Sequence, residues 1–211
     1  MLFRASTIVA LCLVLAACAA SQDESGTLSV RASGNPSTAD MERAQEIITL
    51  RLKEFVIEPA ASFKSRIVDN TIRFTFYGFP PTEATVKQLA STPGRFTLAL
   101  TNMASDVWVS DADVEEAQIF ETDKGATMRV RLSDAAGKRL LEKTSSHIGR
   151  QVRASWDGKT LVVATIQSPF GPGLQFDAPA PPEGMFIRVM LQYGRLPITV
   201  DTAEYQAVSR R

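Results

Sequence analysis

The chain has 211 residues, 23 basic and 23 acidic side chains, one histidine and two cysteines. This balance provides no basic excess, the source of most nucleic-acid affinity, so a nucleic-acid-binding surface is excluded. Both cysteines, Cys12 and Cys18, lie near the N-terminus, which rules out a disulfide framework and a cysteine metal site, and the rest of the chain can bury one domain or two subdomains.

The chain starts MLFRASTIVALCLVLAACAASQDES. Arg4 supplies a positive start, and Thr7–Ala16 is an apolar run too short to span a bilayer. Small residues come after it, so residues 1–17 read as a cleaved signal peptide. Leu15-Ala16-Ala17-Cys18 has the form of a bacterial lipobox, whose chemistry needs the Cys18 thiol to take the lipid before cleavage. The alternative is an ordinary signal cut at a neighbouring alanine, with Cys18 incidental. Acylation would hold the chain to a membrane without a spanning segment, and 18–27, small and polar, would be the lipid-anchored tether. Lipoproteins kept in the inner membrane often carry aspartate after the cysteine. Ala19 stands there in this chain and points to the outer membrane.

Thr27–Ala32 alternates as a short strand, and Gly34-Asn35-Pro36 turns. Ser37 with Asp40 resembles a capping box, and Met41, Ala44, Ile48, Leu52 and Phe55 form an apolar stripe at helical spacing. Glu58-Pro59 ends that helix, because a residue before proline is pushed out of the helical region. Ala61–Ile67 and Thr71–Tyr77 pair across Asp69-Asn70, and Gly78–Pro81 is a loop. Thr82 caps a helix carrying Val86, Leu89 and Ala90, and Arg95–Leu100 is a closing strand. The order β-α-β-β-α-β is that of a split βαβ, ferredoxin-like unit.

Asn102–Asp113 reads as a polar connection to a second, mostly antiparallel subdomain. Strands are expected at Gln118–Thr122 and Met128–Leu132. Ser133 then caps a helix with Leu140, Leu141, Thr144 and Ile148 at helical spacing, and Gly149 stops it. Arg150–Trp156 and Lys159–Ile166 flank Asp157-Gly158, a strong hairpin signal because both turn residues need positive φ. Pro169–Pro182, with five of the eleven prolines, reads as a loop. Gly184–Tyr193 reads as a helix, although Ile187 and Val189 are better strand formers.

No catalytic constellation is present. His147, the lone histidine, stands near a helix C-terminus without a nucleophile in a known arrangement, and H-E-x-x-H, G-x-S-x-G and Walker patterns are missing. Asp111, Asp113 and Glu115 imitate the start of a calcium loop, but Glu116 and Thr122 stand where glycine and glutamate are required. Neither a metal nor a cofactor is therefore expected. Trp156 reads as a cross-strand packing residue. Phe170 and Phe176, in the proline-rich segment, are the candidates for an exposed apolar, polypeptide-binding surface, with packing against the prolines as the alternative.

An ordered set of motifs resembles the first periplasmic domain of the SecD/SecDF protein-export family. Leu132-Ser133-Asp134, Gly137-Lys138, Lys143-Thr144, Asp157-Gly158-Lys159 and Ile166-x-Ser168-Pro169-x-x-x-Gly173 resemble its head. Arg43–Leu100 is similar to its base, and Gly194-x-Leu196-Pro197 to its ending. The resemblance implies an α+β fold, with a ferredoxin-like (split βαβ) base subdomain and an inserted, mostly antiparallel α+β head subdomain. The base is expected at 28–105, the head at 106–178, a return to the base at 179–201 and a C-terminal tail at 202–211. The family's membrane section has no counterpart after Val200, so proton-driven cycling is not expected of this chain by itself.

The lipobox and the resemblance together imply a non-enzymatic, lipid-anchored, periplasm-facing module of the bacterial cell envelope. It would contact exported, unfolded polypeptide or the export machinery and reach the membrane through lipid on Cys18. The alternative is a structural or assembly lipoprotein docking on one defined envelope protein. An edge strand of either subdomain would serve both by β-augmentation.

Overall fold

The structure, a computed structural model, describes residues 24–55, 62–78, 82–123 and 125–208. The expected signal peptide, Cys18, most of the tether, Glu58-Pro59 and Phe79–Pro81 lie outside the described residues.

The first sheet is antiparallel. It consists of β1 (Glu24–Ala32), β2 (Ser62–Val68), β3 (Thr71–Tyr77) and, from the far end of the chain, β11 (Val200–Ala207), in the order β11-β1-β3-β2. Alternation dictates its faces: Leu28, Val30, Ile72, Phe74 and Phe76 point one way and are buried, while Thr27, Ser29, Arg31 and Arg73 point the other. Helix α1 (Thr38–Phe55) covers the apolar face with Met41, Ala44, Ile47, Ile48 and Leu52. Its start is capped as expected, with the Ser37 hydroxyl accepting from the Asp40 N–H at 3.1 Å. Helix α2 (Glu83–Ser91) adds Val86, Leu89 and Ala90 to the same core.

The head consists of two further antiparallel sheets. One contains β5 (Val107–Ser110), β4 (Phe96–Leu100), β8 (Gln151–Trp156) and β9 (Lys159–Thr165), in that order. The other is β10 (Gly173–Asp177), β7 (Gly125–Leu132) and β6 (Val114–Thr122). A 3₁₀ turn at Asp111–Asp113 joins β5 to β6, and helix α3 (Asp134–Ser145) comes after β7. Ser133 caps α3 as expected, accepting from the Ala136 N–H at 3.3 Å. Asp157 and Gly158 both have positive φ, 46° and 81°, in the β8–β9 hairpin. Helix α4 (Glu183–Tyr193) lies between the two cores. Phe186, Val189 and Met190 join the base core, and Ile187 and Leu191 join the head core. Because it is apolar on both sides it remains a helix despite its β-branched residues; packing overrides propensity.

The α+β architecture expected from the sequence, a split βαβ base with an antiparallel head, is present, with several local corrections. β4 does not close the base; it pairs with β8, from Phe96↔Trp156 to Leu100↔Val152. The base is closed by β11, so residues 202–207 are a strand rather than a tail, paired with β1 from Gly26↔Ala207 to Ala32↔Val200. Sequence order could not reveal this, because the strand that completes the sheet comes after the whole head. Asn102–Asp113 is not wholly a polar connection, since Val107-Trp108-Val109 is an apolar triplet that forms β5, with Trp108 and Val109 buried. Pro169–Pro182 contains β10, which pairs with β7. Leu141 and Ile148, expected on the apolar stripe, are 46% and 50% exposed, because α3 ends at Ser145 and buries a narrower face through Ala136, Gly137, Leu140 and Thr144.

Candidate functional site

Sheet edges show where the molecule has unused pairing capacity. At the edge of the three-stranded head sheet, β6 is covered by α4, whose Gln192 side chain accepts from the Ala117 N–H at 2.9 Å. At the edge of the four-stranded sheet, β5 is flanked by α3, where Arg139 Nε donates to the Trp108 carbonyl at 3.3 Å. The other two edges, β9 and β10, face a common apolar cleft of about 340 Å³. It is lined by Leu98 on β4, Val152 and Ala154 on β8, Val162, Ala164 and Thr165 on β9, and Leu174 and Phe176 on β10.

Register explains why the cleft is apolar yet open. Val162 pairs with Ala154 and Ala164 with Val152, so all four present the same face. The facing sheet has three strands against four, and over β9 the core runs out. Val152 and Ala154 are therefore buried, while Val162 is half-buried and Ala164 exposed. Thr160–Ile166 contains no charged residue, and Val163, on the opposite face of β9, is 47% exposed. Beyond Lys159, which pairs with Glu183 at the start of β9, this is an edge without charge or proline, which natural sheets normally avoid. A guest strand hydrogen-bonding to β9 would place alternate side chains over the cleft.

The mouth of the cleft is held by α3. Gly137 lets the chain at Pro172 approach: a Cβ there would sit 2.6 Å from Pro172 Cβ and 3.0 Å from its Cα. Thr144, fully buried, accepts from the Phe170 N–H at 3.1 Å and donates to the Leu140 carbonyl at 2.8 Å. The Pro172 carbonyl accepts from the Leu132 N–H at 2.8 Å. These contacts fix the loop that places the half-buried Phe170 ring on the cleft wall. Of the two aromatic candidates, Phe176 is only 9% exposed and belongs to the head core. It fails as an exposed surface residue because β10 turns it inward, and it contributes to the floor of the cleft. The structure thus brings Phe170 and Phe176 together, but as lining.

A second constellation joins the subdomains. Arg51 is fully buried and donates to the carbonyls of Leu89 (3.2 Å), Thr92 (2.8 Å), Pro93 (3.2 Å) and Gly194 (2.6 Å). It satisfies the carbonyl ends of α2 and α4, where a cation is favoured by the helix dipole. Burial pushes its pKa down to about 10, opposed by the charge of Asp157. Asp157, in the β8–β9 turn, accepts from the Arg95 N–H at 2.8 Å and the Gly94 N–H at 3.2 Å. Gly94 has φ +82°, and a Cβ there would lie 2.8 Å from the Arg51 guanidinium. Nearby, Glu54 on α1 accepts from Arg188 and from the Tyr193 hydroxyl, both at 2.7 Å, on α4. Those two bonds hold the Glu54 carboxyl below its usual range. Burial, and then Glu54, raise the Tyr193 hydroxyl to about 12.

The remaining candidates are spread apart. His147 Nδ1 lies 2.7 Å from the Lys143 carbonyl at the end of α3, and its ring packs against Trp108, tilted by 53° with centroids 5.2 Å apart. Asp113 pairs with Arg139 at 2.7 Å and accepts from the Ser110 N–H, while Glu115 pairs with Arg131. Among the described residues no three His, Cys, Asp or Glu side chains converge as metal ligands, and no helix is long and apolar enough to cross a membrane. Trp156 packs edge-on against Phe186 with ring centroids 5.7 Å apart, between the two cores. Sequence reasoning missed Arg51, Gly137 and Thr144 as positioning residues. Gly137 and Thr144 stand inside the motifs of the head, but their reason, docking of the Phe170–Pro172 loop from 26 residues or more downstream, is a tertiary one.

No family model matches the chain, and no curated protein matches it in sequence. Solved structures do. SecDF in its super-membrane-facing form superposes with a TM-score of 0.73 over 88% of this chain and 30% of that one, at 15% identity. The fold is that of a SecDF periplasmic domain. A second SecDF chain, from a membrane component that enhances protein export, has a TM-score of 0.66 over 88% of this chain and 99% of that one, at 14% identity. This chain therefore spans less than a third of the first SecDF chain and nearly all of the second. At such identity the likeness to SecDF is one of fold.

Proposed function

We propose that this chain is a non-enzymatic polypeptide-binding module of the bacterial envelope, taking extended, exported chains at the β9 edge and its cleft. The observation that carries it is an edge strand without charge from Thr160 onward, over an open apolar cleft, on the fold of SecDF, a component that enhances protein export. A guest strand of about seven residues would span β9. Backbone hydrogen bonds, which are indifferent to sequence, would supply affinity, and the cleft a preference for apolar side chains at alternate positions. In this reading the chain is lipid-anchored through Cys18 and faces the periplasm, with Ala19 placing it at the outer rather than the inner membrane.

A photo-reactive residue at Ala164 in the full chain, with the exposed Lys53 on α1 as control, tests the proposal in cells. The expected result is a heterogeneous set of adducts from Ala164 that disappears when secretion is blocked. One discrete adduct would transfer the site to a dedicated envelope partner, the docking-lipoprotein alternative. No adduct from Ala164 would refute a polypeptide-binding role. Cys18→Ala tests the anchor separately and is expected to move the chain out of the lipid-modified pool, without altering its adducts with soluble clients.

A further inference from the structure

The base sheet is covered on one face only. Its other face is open, with a shallow hollow of about 700 Å³ lined by Thr27, Ser29, Arg31, Arg66, Arg73 and Thr75, among others. Register places Arg66 directly opposite Arg73 and Ser29 opposite Arg73 on the other side, and Arg31 opposite Thr71 is one step diagonal to Arg73. Lys64, exposed on the same side of β2, faces Thr75. Three arginines and a lysine thus occupy three adjacent strands. Like charges directly opposite on a sheet are destabilising unless something neutralises them. Among the described residues none of Arg31, Arg66 and Arg73 is in an ion pair. The acidic side chains that face them are Glu204 on β11, opposite Ser29, with Glu24 and Asp69 at the ends of the hollow. Glu24 is engaged by the Thr27 hydroxyl at 3.0 Å, and Asp69 lies in the β2–β3 turn. With Lys64, four basic side chains stand against three acidic ones; Lys64, Arg66 and Arg73 lie on β2 and β3, away from Glu204, while Arg31, opposite Thr202, is one step diagonal to it.

We propose that this face lies against an anionic phospholipid bilayer, with Arg31, Arg66 and Arg73 on headgroup phosphates. Charge complementarity is one argument, since guanidinium forks match phosphate oxygens in pairs. Chain length is the other, and it rests on the lipid-anchor reading. Five residues separate Cys18 from Glu24, and whatever their conformation they reach at most about 20 Å. The start of β1 is thereby held beside the membrane, and β1 runs through the middle of this face.

The test is flotation of the full chain carrying Cys18→Ala, with vesicles of phosphatidylcholine alone or with one third phosphatidylglycerol. The readout is the part of the anionic preference that is lost when Arg66 and Arg73 are replaced, since residues 1–17, with Arg4, are the same in every chain compared. The expected result is at least about tenfold tighter binding to the anionic vesicles, lost at about 0.5 M salt and lost in Arg66→Glu/Arg73→Glu. Both arginines are exposed, and the milder Arg66→Ala/Arg73→Ala, expected to lose part of the preference, guards against a folding artefact. Equal binding to both vesicles would overturn the proposal, as would an anionic preference that survives the double charge reversal. Abolition by inorganic phosphate at constant ionic strength would also overturn it, by making the face a free-phosphate site. Failure of the anchor reading is distinguishable: the chain with Cys18 intact would then leave neutral vesicles at high salt as readily as Cys18→Ala.

Discussion

The base and the head are both antiparallel sheets packed on helices, yet they treat their exposed strands in opposite ways. The base keeps Lys64 and Arg66 on β2 and Asp201 and Glu204 on β11, charged edges of the kind that discourage pairing. The head covers β5 and β6 and leaves β9 and β10 open on an apolar cleft. Stabilising contacts are concentrated where the two meet, at Arg51, Asp157 and α4. In the proposed function the junction holds the two regions together and the head's free edge does the recognising, and substitutions separate the two.

The largest effect is expected at Arg51. Arg51→Ala leaves the carbonyls of Leu89, Thr92, Pro93 and Gly194 without their shared donor and is expected to cost roughly 3–5 kcal/mol in denaturant unfolding. If the two regions are coupled through this residue, head and base unfold together at a lower midpoint. Gly94→Ala comes next, at about 1–3 kcal/mol, because it combines a left-handed φ with an approach to the Arg51 guanidinium.

How far this division is legible in the sequence varies by element. Local signals predict well: Ser37 and Ser133 as caps, Asp157-Gly158 as a hairpin, and the stripe from Met41 to Leu52 all appear where their chemistry requires. The failures are non-local. β4 and β11 read as strand and as tail without revealing their partners, because pairing is settled by which sheet lacks an edge. The cleft is half legible. Phe170 stands out in the sequence, but Val162 and Ala164 read only as strand residues until the three-against-four mismatch of the sheets exposes them. Arg51 gives no signal, since a basic residue in a helix stripe looks solvated until two other helices end on it.

Glu54→Gln is a smaller perturbation, expected to cost about 1 kcal/mol by weakening the bonds to Arg188 and Tyr193. It also carries a pH signature. Because the folded Glu54 carboxyl is held below its ordinary value, its contribution is present above that value and lost as pH falls through the folded one. Tyr193 works in the opposite sense. Raised to about 12, its contribution is complete below its ordinary value of about 10 and is lost as pH rises toward 12. Thermal unfolding across pH should show wild type losing stability at both extremes and Glu54→Gln losing less at each.

Ala164→Asp is expected to change stability least, within about 0.5 kcal/mol, since the residue is exposed. It is nevertheless expected to weaken binding of an extended apolar peptide by about tenfold, the effect of placing an unpaired charge against an apolar cleft. An unchanged affinity, measured by calorimetry, would remove the cleft from the recognition surface and erase the contrast between head and base.

Hydrogen exchange on the full chain, with and without a seven-residue alternating apolar peptide, tests the claim most directly. Addition of a strand to β9 predicts that alternate backbone amides within Lys159–Thr165, which exchange freely without the peptide, become protected on binding, while those of β2 and β11 do not change. Protection confined to the base edges, or binding without any protection along β9, would contradict it.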